Sequence, residues 1–248
     1  MITSAKNETV KKLRSLRTKK GRKETGLHLI EGERLVFDAI ASGAELETVL
    51  VAEGNADIEK RLEEAGVSYT LVSEEVLASV CDTDSPQGVC ASVKTPDTTP
   101  PERYPEGLIV ALDRLQDPGN LGTILRTADA FGAAGLLLSE GCVDPFSPKS
   151  LRAAMGSTYH IPVWQGELVT ELDKLSAQGF ALVCGHLKGR EALPELPRNR
   201  VIIIGSEANG ASDEAAERAY LYRLPMKGRA ESLNAAVAAA ILIYKLSE

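Results

Sequence analysis

Three short segments of this chain carry residues whose types and spacing suit chemistry. The first, Asp113-Arg-Leu-Gln-Asp-Pro-Gly-Asn120, runs into a helical pattern that contains Arg126 and Asp129. The second, Gly205-Ser-Glu207-Ala-Asn-Gly210, follows the most hydrophobic stretch in the chain. The third, Leu224-Pro-Met226-Lys-Gly228-Arg-Ala-Glu-Ser232-Leu-Asn234, leads into an alanine-rich helical run. In the first, Asn120 occupies the place of a helix N-cap, and Leu121, Ile124, Leu125 and Ala128 form a buried stripe. Arg126 falls just off that stripe, so it is either paired with Asp129 three residues on or held for use as a cation. In the second, two glycines bracket Glu207 and let the backbone turn sharply against a ligand, although a plain turn reads the same way. The pattern is neither the dinucleotide fingerprint nor a P-loop. In the third, Ser232 is the predicted N-cap and Asn234 falls two places into an apolar helix, where a polar side chain needs a reason. Leu224 and Met226 suit the two faces of a purine; capping plus packing is the alternative.

The elements that must position these segments read as alternating strands and helices. Short apolar runs at Leu108–Leu112, Gly135–Leu138, Ile161–Trp164, Phe180–Cys184 and Val201–Ile204 suit a parallel sheet covered on both faces. Helices are predicted over Leu121–Phe131, Glu167–Gln178, Asp213–Ala219 and Leu233–Leu246. In such a sheet, ligands gather outside the carboxyl ends of the strands, where the three segments would lie. Four prolines between Thr95 and Pro105 mark a linker over residues 96–106. The linker separates an N-terminal domain, 1–95, from a C-terminal domain, 107–248. The N-terminal part alternates strands at Leu27–Ile30, Thr48–Val51, Tyr69–Val72 and Gly88–Val93 with helices near Leu35–Ile40, Asp57–Ala65 and Glu74–Val80, a small α/β sandwich.

Charge is divided unevenly. The whole chain carries −7, yet residues 1–23 hold nine basic residues against Glu8 alone, a local +8, which leaves 19 basic and 34 acidic residues, or −15, for the rest. This reads as a basic arm that touches a polyanion, or else as a mobile, solvated N-terminus. The four cysteines form no C-x-x-C pair and the three histidines are scattered, so no metal is expected and the thiols read as buried and reduced. No apolar run reaches the length of a membrane span and no secretory signal is visible, so a cytoplasmic location without membrane association is expected.

Taken in order, the three segments resemble the signature motifs of the SpoU (TrmH-like) family of RNA 2′-O-ribose methyltransferases. Asn120, Gly122, Arg126, Thr127 and Ala128 match the first motif, Gly205, Glu207 and Gly210 the second, and Leu224, Pro225, Met226, Gly228, Ser232, Leu233 and Asn234 the third. Ser147–Gly156 is similar to a further family segment. Ile30-Glu-Gly32 and Ser85-Pro-Gln-Gly88 resemble the substrate-binding domain often joined to these enzymes. The chain departs from the pattern at Ala211, Ala235 and Ala236.

The resemblance implies a SPOUT fold, an α/β parallel-sheet domain with a deep trefoil knot, beside a small N-terminal α/β/α RNA-binding domain. It implies S-adenosylmethionine as cofactor and a homodimer with each active site at the subunit interface. Gly185, His186, Leu187, Gly205, Gly210, Leu224, Met226 and Leu233 would hold the cofactor. Arg126 would be the base, or would clamp a phosphate and stabilise the forming alkoxide, which suits a guanidinium of pKa above about 12 better. Ser232 and Asn234 would orient the ribose or Arg126, and Asn120 and Glu207 would order the site across the dimer. Ribosomal RNA is the expected substrate, with transfer RNA second. The rival classes are a non-catalytic RNA-binding protein, which would lack Arg126, Ser232 or Asn234, and a methyltransferase acting on a base nitrogen.

Overall fold

The computed structural model describes residues 1–247 and divides into two compact units. Residues 1–96 with 144–159 form the first, and residues 97–143 with 160 onward form the second.

The first unit is built on strands β1 (Leu27–Glu31), β2 (Leu46–Ala52), β3 (Thr70–Val72) and β4 (Val89–Lys94), in the order β1-β4-β2-β3. β4 is antiparallel to β1 and β2, and β3 is parallel to β2. Alternation along the strands sends successive side chains to opposite faces. Leu27, Leu29, Leu50, Ala52 and Cys90 pack with helices α1 (Glu8–Ser15) and α5 (Glu74–Val80). Ile30, Val49, Val51, Val89, Ala91 and Val93 pack with α3 (Glu33–Ala41) and α4 (Ala56–Glu64). This is the small α/β sandwich that the strand–helix alternation predicts, in the α/β/α form that the family resemblance implies.

The basic N-terminal segment is not an arm. It folds as α1 and α2 (Lys19–Thr25), and Val10, Leu13 and Leu16 are fully buried at every third position. Each such burial stabilises by roughly 1.5–3 kcal/mol, enough to dock a short helix whose other faces are charged. The lysines that dominate the composition concealed this apolar spacing. The segment 144–159 also packs here. It contains α7 (Pro148–Ala154), and Phe146 and Leu151 join the α3/α4 side of the core. Nη2 and Nε of buried Arg22 donate to Asp144 at 2.7 and 2.9 Å, and Arg152 donates to Glu31 at 2.6 Å and to Asp82 at 2.9 Å.

His28 lies beside that ion pair, with Nε2 2.8 Å from the Tyr159 hydroxyl and Nδ1 3.2 Å from the Thr95 hydroxyl. Burial pushes its pKa from the ordinary 6.5 to about 3; Asp144 opposes the drop and Arg22 adds to it. The folded state keeps His28 neutral where the unfolded chain would protonate it. Its contribution is therefore complete above pH 6.5 and is lost as pH falls toward 3. Between pH 7 and pH 5 the loss amounts to about 2 kcal/mol. Urea unfolding at the two pH values is expected to show this difference in the wild type and to lack it in His28→Gln. Equal pH dependence in both proteins would reject the assignment.

The second unit carries six parallel strands: β5 (Leu108–Asp113), β6 (Gly135–Ser139), β7 (Val163–Gly166), β8 (Ala181–Arg190), β9 (Arg200–Gly205) and β10 (Tyr220–Tyr222). Their order is β10-β8-β9-β5-β6-β7. β5 and β6 are buried at every position, as a sheet covered on both faces requires. Leu168, Leu172 and Leu175 of α8 (Leu168–Ala177) and Ala215 of α9 (Asp213–Glu217) cover one face. α6 (Pro118–Ala130) and α10 (Ala235–Ser247) pack together over β5, β6, β8 and β9. Asp113 lies opposite Gly205 in the β5–β9 register, so the first two loops leave the sheet side by side. β10 is only three residues long and its pattern gave no strand signal; β8 runs six residues past its apolar stretch. Residues 97–106 form neither helix nor strand, yet Tyr104 within them is buried. Its hydroxyl donates to Glu171 at 2.7 Å and its ring meets Trp164 edge-on at 5.1 Å.

Candidate active site

Loop one begins at Asp113, whose buried carboxylate accepts the Ser212 N–H of loop two at 2.7 Å. α6 then starts earlier than the apolar stripe predicts. Asp117 is its N-cap, accepting the Asn120 N–H at 2.8 Å, and Pro118 supplies a first-turn φ without needing a donor. Asn120 is therefore inside the first turn, with its amide free to reach outward. Its Nδ2 donates to Glu207 Oε1 at 2.8 Å, and its Oδ1 accepts from Asn234 Nδ2 at 3.0 Å.

Asn234, and not Ser232, caps the last helix. Its Oδ1 accepts the N–H groups of Ala236 at 2.9 Å and Val237 at 3.2 Å, and α10 begins one residue after it. With Oδ1 committed to the helix, Nδ2 must face Asn120. Asn120 Oδ1 then accepts and Asn120 Nδ2 donates, so one chain of hydrogen bonds runs Asn234 to Asn120 to Glu207. It joins all three loops. Glu207 also accepts the backbone N–H of Gln116 at 3.3 Å and of Asp117 at 3.4 Å. Partial burial pushes the Glu207 pKa up, but the hydrogen bonds from Asn120 and from the backbone outweigh it and hold the group below the ordinary carboxylate range. Glu207 is thus an ionised anchor at neutral pH.

Loop two folds back on itself: Ser206 N–H donates to the Gly210 carbonyl at 3.0 Å and Gly210 N–H returns to Ser206 at 2.9 Å. A β-carbon on Gly205 would stand 1.9 Å from Ala211 N, which only glycine avoids. Around this turn lies a cavity of about 770 Å³. Gly185, His186, Leu187, Gly205, Gly210, Leu224, Met226 and Leu233 all line it, together with Glu207, Ser232 and Asn234. His186 Nδ1 accepts the Lys188 N–H at 3.1 Å, which fixes the ring at the rim.

Arg126 and Asn120 do not line this cavity. The six residue steps from one to the other advance about 9 Å along α6 and turn it so that Arg126 points about 120° away from Asn120. Arg126 is exposed on that helix. Asp113, Gln116 and Lys188 belong to the site's surroundings and escaped the motif reading; a carboxylate closing the all-apolar run at Leu112 was the available signal for Asp113. Cys184, next to the cavity, is no nucleophile, because burial and then Asp113 push its thiol up to about 12. Among the described residues no group of three or more metal-ligating side chains occurs.

The chain has clear likenesses. Residues 107–244 match the family model described as the SpoU rRNA Methylase family, and residues 7–91 match the MRM3-like substrate binding domain. The 23S rRNA (guanosine(2553)-2′-O)-methyltransferase RlmP of Bacillus subtilis (strain 168) is 38% identical over 248 residues, covering 99% of this chain and 98% of the relative. A protein of Synechocystis sp. described as an uncharacterized tRNA/rRNA methyltransferase is 39% identical, covering 98% and 92%. The crystal structure of an AdoMet-bound rRNA methyltransferase from Sinorhizobium meliloti superposes with a TM-score of 0.88 at 35% identity, covering 99% of this chain and 96% of that one.

Proposed function

This chain belongs to the SpoU rRNA methylase family, and we propose that it methylates the ribose 2′-hydroxyl of a guanosine in 23S ribosomal RNA as a cytoplasmic homodimer. It is an S-adenosylmethionine-dependent RNA methyltransferase. The observation that carries the methyl-transfer reading is the Asn234–Asn120–Glu207 chain at the edge of a glycine-turned cavity, and the name of the Bacillus relative supports a guanosine of 23S ribosomal RNA as acceptor.

The cavity suits the cofactor. Its volume lies within the range of small-ligand sites, and it combines backbone edges at 205–211 and 185–188 with apolar walls from Leu224, Met226, Leu233 and Leu242. Backbone N–H and C=O groups can read a purine edge, and the apolar side chains can flank its faces. When bound, S-adenosylmethionine supplies an electrophilic methyl group on a sulfonium. The chain's own residues must then hold the acceptor ribose and weaken its O–H bond. Ser232 and Asn234, on the wall, orient the ribose. A guanidinium at the acceptor oxygen stabilises the alkoxide as it forms and pairs with a flanking phosphate.

That guanidinium, Arg126, does not face the cavity of its own chain, so a second copy supplies it. The surface that receives the copy is an apolar stripe on α10, Val237, Ile241 and Tyr244, continued by Phe131 at the end of α6, whose ring meets Tyr244 at 5.5 Å. Tyr244 is 56% exposed, and the stripe starts three residues after Asn234. An exposed apolar patch of this kind calls for a partner, and the incomplete site calls for the same one. The strand order, with β9 between β8 and β5, is consistent with the knot that the family resemblance implies.

The test is transfer of labelled methyl from S-adenosylmethionine to unmodified 23S ribosomal RNA and to unmodified transfer RNA, followed by nucleoside digestion. The expected product is 2′-O-methylguanosine from the ribosomal RNA. Product only from transfer RNA would move the substrate to that class, which the name of the Synechocystis relative also covers. Cofactor binding without product on either naked RNA, but with product on large ribosomal subunits, would make the assembled particle the substrate.

A further inference from the structure

Among the described residues, Arg114 and Met155 are the non-glycine positions with positive φ. Arg114, at φ 54, is the first residue after β5 and opens loop one. A β-carbon is disfavoured in this region, and such a conformation persists only where the surroundings over-determine it. Here they do. The Arg114 N–H donates to Ser139 Oγ at 2.8 Å. Gln116 Nε2 donates to the Arg114 carbonyl at 3.0 Å and to the Gly141 carbonyl at 2.7 Å. Val143 N–H closes the far side of the loop on the Leu115 carbonyl at 2.8 Å.

Glycine or asparagine would meet this backbone demand with less strain. What arginine adds is its guanidinium. The side chain is 51% exposed, and its Nε lies 3.2 Å from Oδ1 of Asp113, a side chain only 4% exposed that is itself held by Ser212. This ion pair biases the direction of the guanidinium, while its terminal nitrogens make no hydrogen bond among the described residues. Two residues further, the Gln116 N–H binds Glu207 on the cavity wall, so loop one, which carries Arg114, is held against that wall.

We propose that Arg114 is a positioning residue that grips a phosphate of the RNA substrate beside the cavity, its direction set by the buried carboxylate of Asp113. A guanidinium with two free nitrogens matches a phosphodiester in charge and geometry. The inference rests on the reading of RNA as substrate, and it concerns a different element from Arg126.

The experiment compares wild type with Arg114→Gly, Arg114→Asn and Arg114→Lys, using an unmodified 23S ribosomal RNA transcript. The glycine and asparagine variants are expected to bind this RNA about tenfold more weakly, with the loss falling on KM and not on kcat, and with unchanged cofactor affinity. Their slope of log binding constant against log salt is expected to be shallower by about 0.7–0.9, the signature of one lost phosphate contact. Lysine is expected to restore the slope and part of the affinity. The Tm of Arg114→Gly should hold or rise, since glycine relieves the backbone. Wild-type RNA affinity and slope in Arg114→Gly would overturn the proposal. A fall in Tm and in cofactor affinity at an unchanged slope would also overturn it, leaving Arg114 as the structural counter-ion of Asp113. Wild-type protein that neither binds nor methylates RNA would remove the substrate reading and this inference with it.

Discussion

Arg126→Ala is expected to lower kcat for methyl transfer by about 10²–10³-fold while S-adenosylmethionine binds as tightly as before. The cavity that holds the cofactor is walled by the second half of β8, by the loops leaving β9 and β10 and by α10, and Arg126 does not line it. Loss of turnover with retained cofactor affinity, read by calorimetry, therefore separates a role at the acceptor oxygen from one in binding the cofactor. Wild-type turnover would remove Arg126 from the reaction. The shared-site reading makes a sharper demand. Arg126→Ala and Asn234→Ala proteins are each expected to be nearly inactive. Unfolded and refolded together in equal amounts, they should regain about a quarter of wild-type activity, because half the dimers are mixed and each mixed dimer carries one intact site. No regain on mixing would confine the site to one chain and overturn the dimer reading.

Gly205→Ala is expected to abolish measurable cofactor binding, a loss of at least about 100-fold. The reason is steric. The added carbon would lie 1.9 Å from Ala211 N and from the Gly210 carbonyl carbon, and 2.3 Å from the Gly210 carbonyl oxygen. All three are backbone atoms, so no side chain can swing aside, and the Ser206–Gly210 pair must open. Gly210→Ala is the control. At φ +70 with nothing within 4 Å, it meets only the backbone penalty of the left-handed region, about 1–2 kcal/mol. Its cofactor affinity should fall by no more than about 30-fold. Calorimetric titration with S-adenosylmethionine measures both. Equal, mild losses in the two variants would mean that the turn is dispensable and that the cavity is shaped elsewhere.

Much of the architecture was legible in the residue pattern. α5 begins and ends where Glu74 and Val80 predict, and the apolar runs at Leu108, Gly135 and Val201 are strands of one parallel sheet. Periods of 2 and 3.6 are dictated by local backbone sterics, which short windows of sequence record. The loops were legible as well, because Gly205, Asn120 and Asn234 are residue types that stand out from apolar neighbours. Legibility failed where local signals competed. Nine cations hid the every-third-residue spacing of Val10, Leu13 and Leu16, and Ser232, a good capping residue, lies two places before Asn234, which forms the cap.

By itself the sequence determined most of the strands and helices (though not α1, α2, α7 or β10), which loops carry polar groups, and, through its three motifs, the chemistry they serve. Only the tertiary structure decided that Asn234 caps its helix with one end of its amide and holds Asn120 with the other, that Asn120 reaches Glu207, that Arg114 adopts a left-handed backbone, and that Arg126 turns from its own cavity. The residues joined by the two amide hydrogen bonds are 114 and 87 positions apart. Contacts at that separation follow from the order of strands in the sheet, and strand order comes from packing the whole domain, not from any stretch of it.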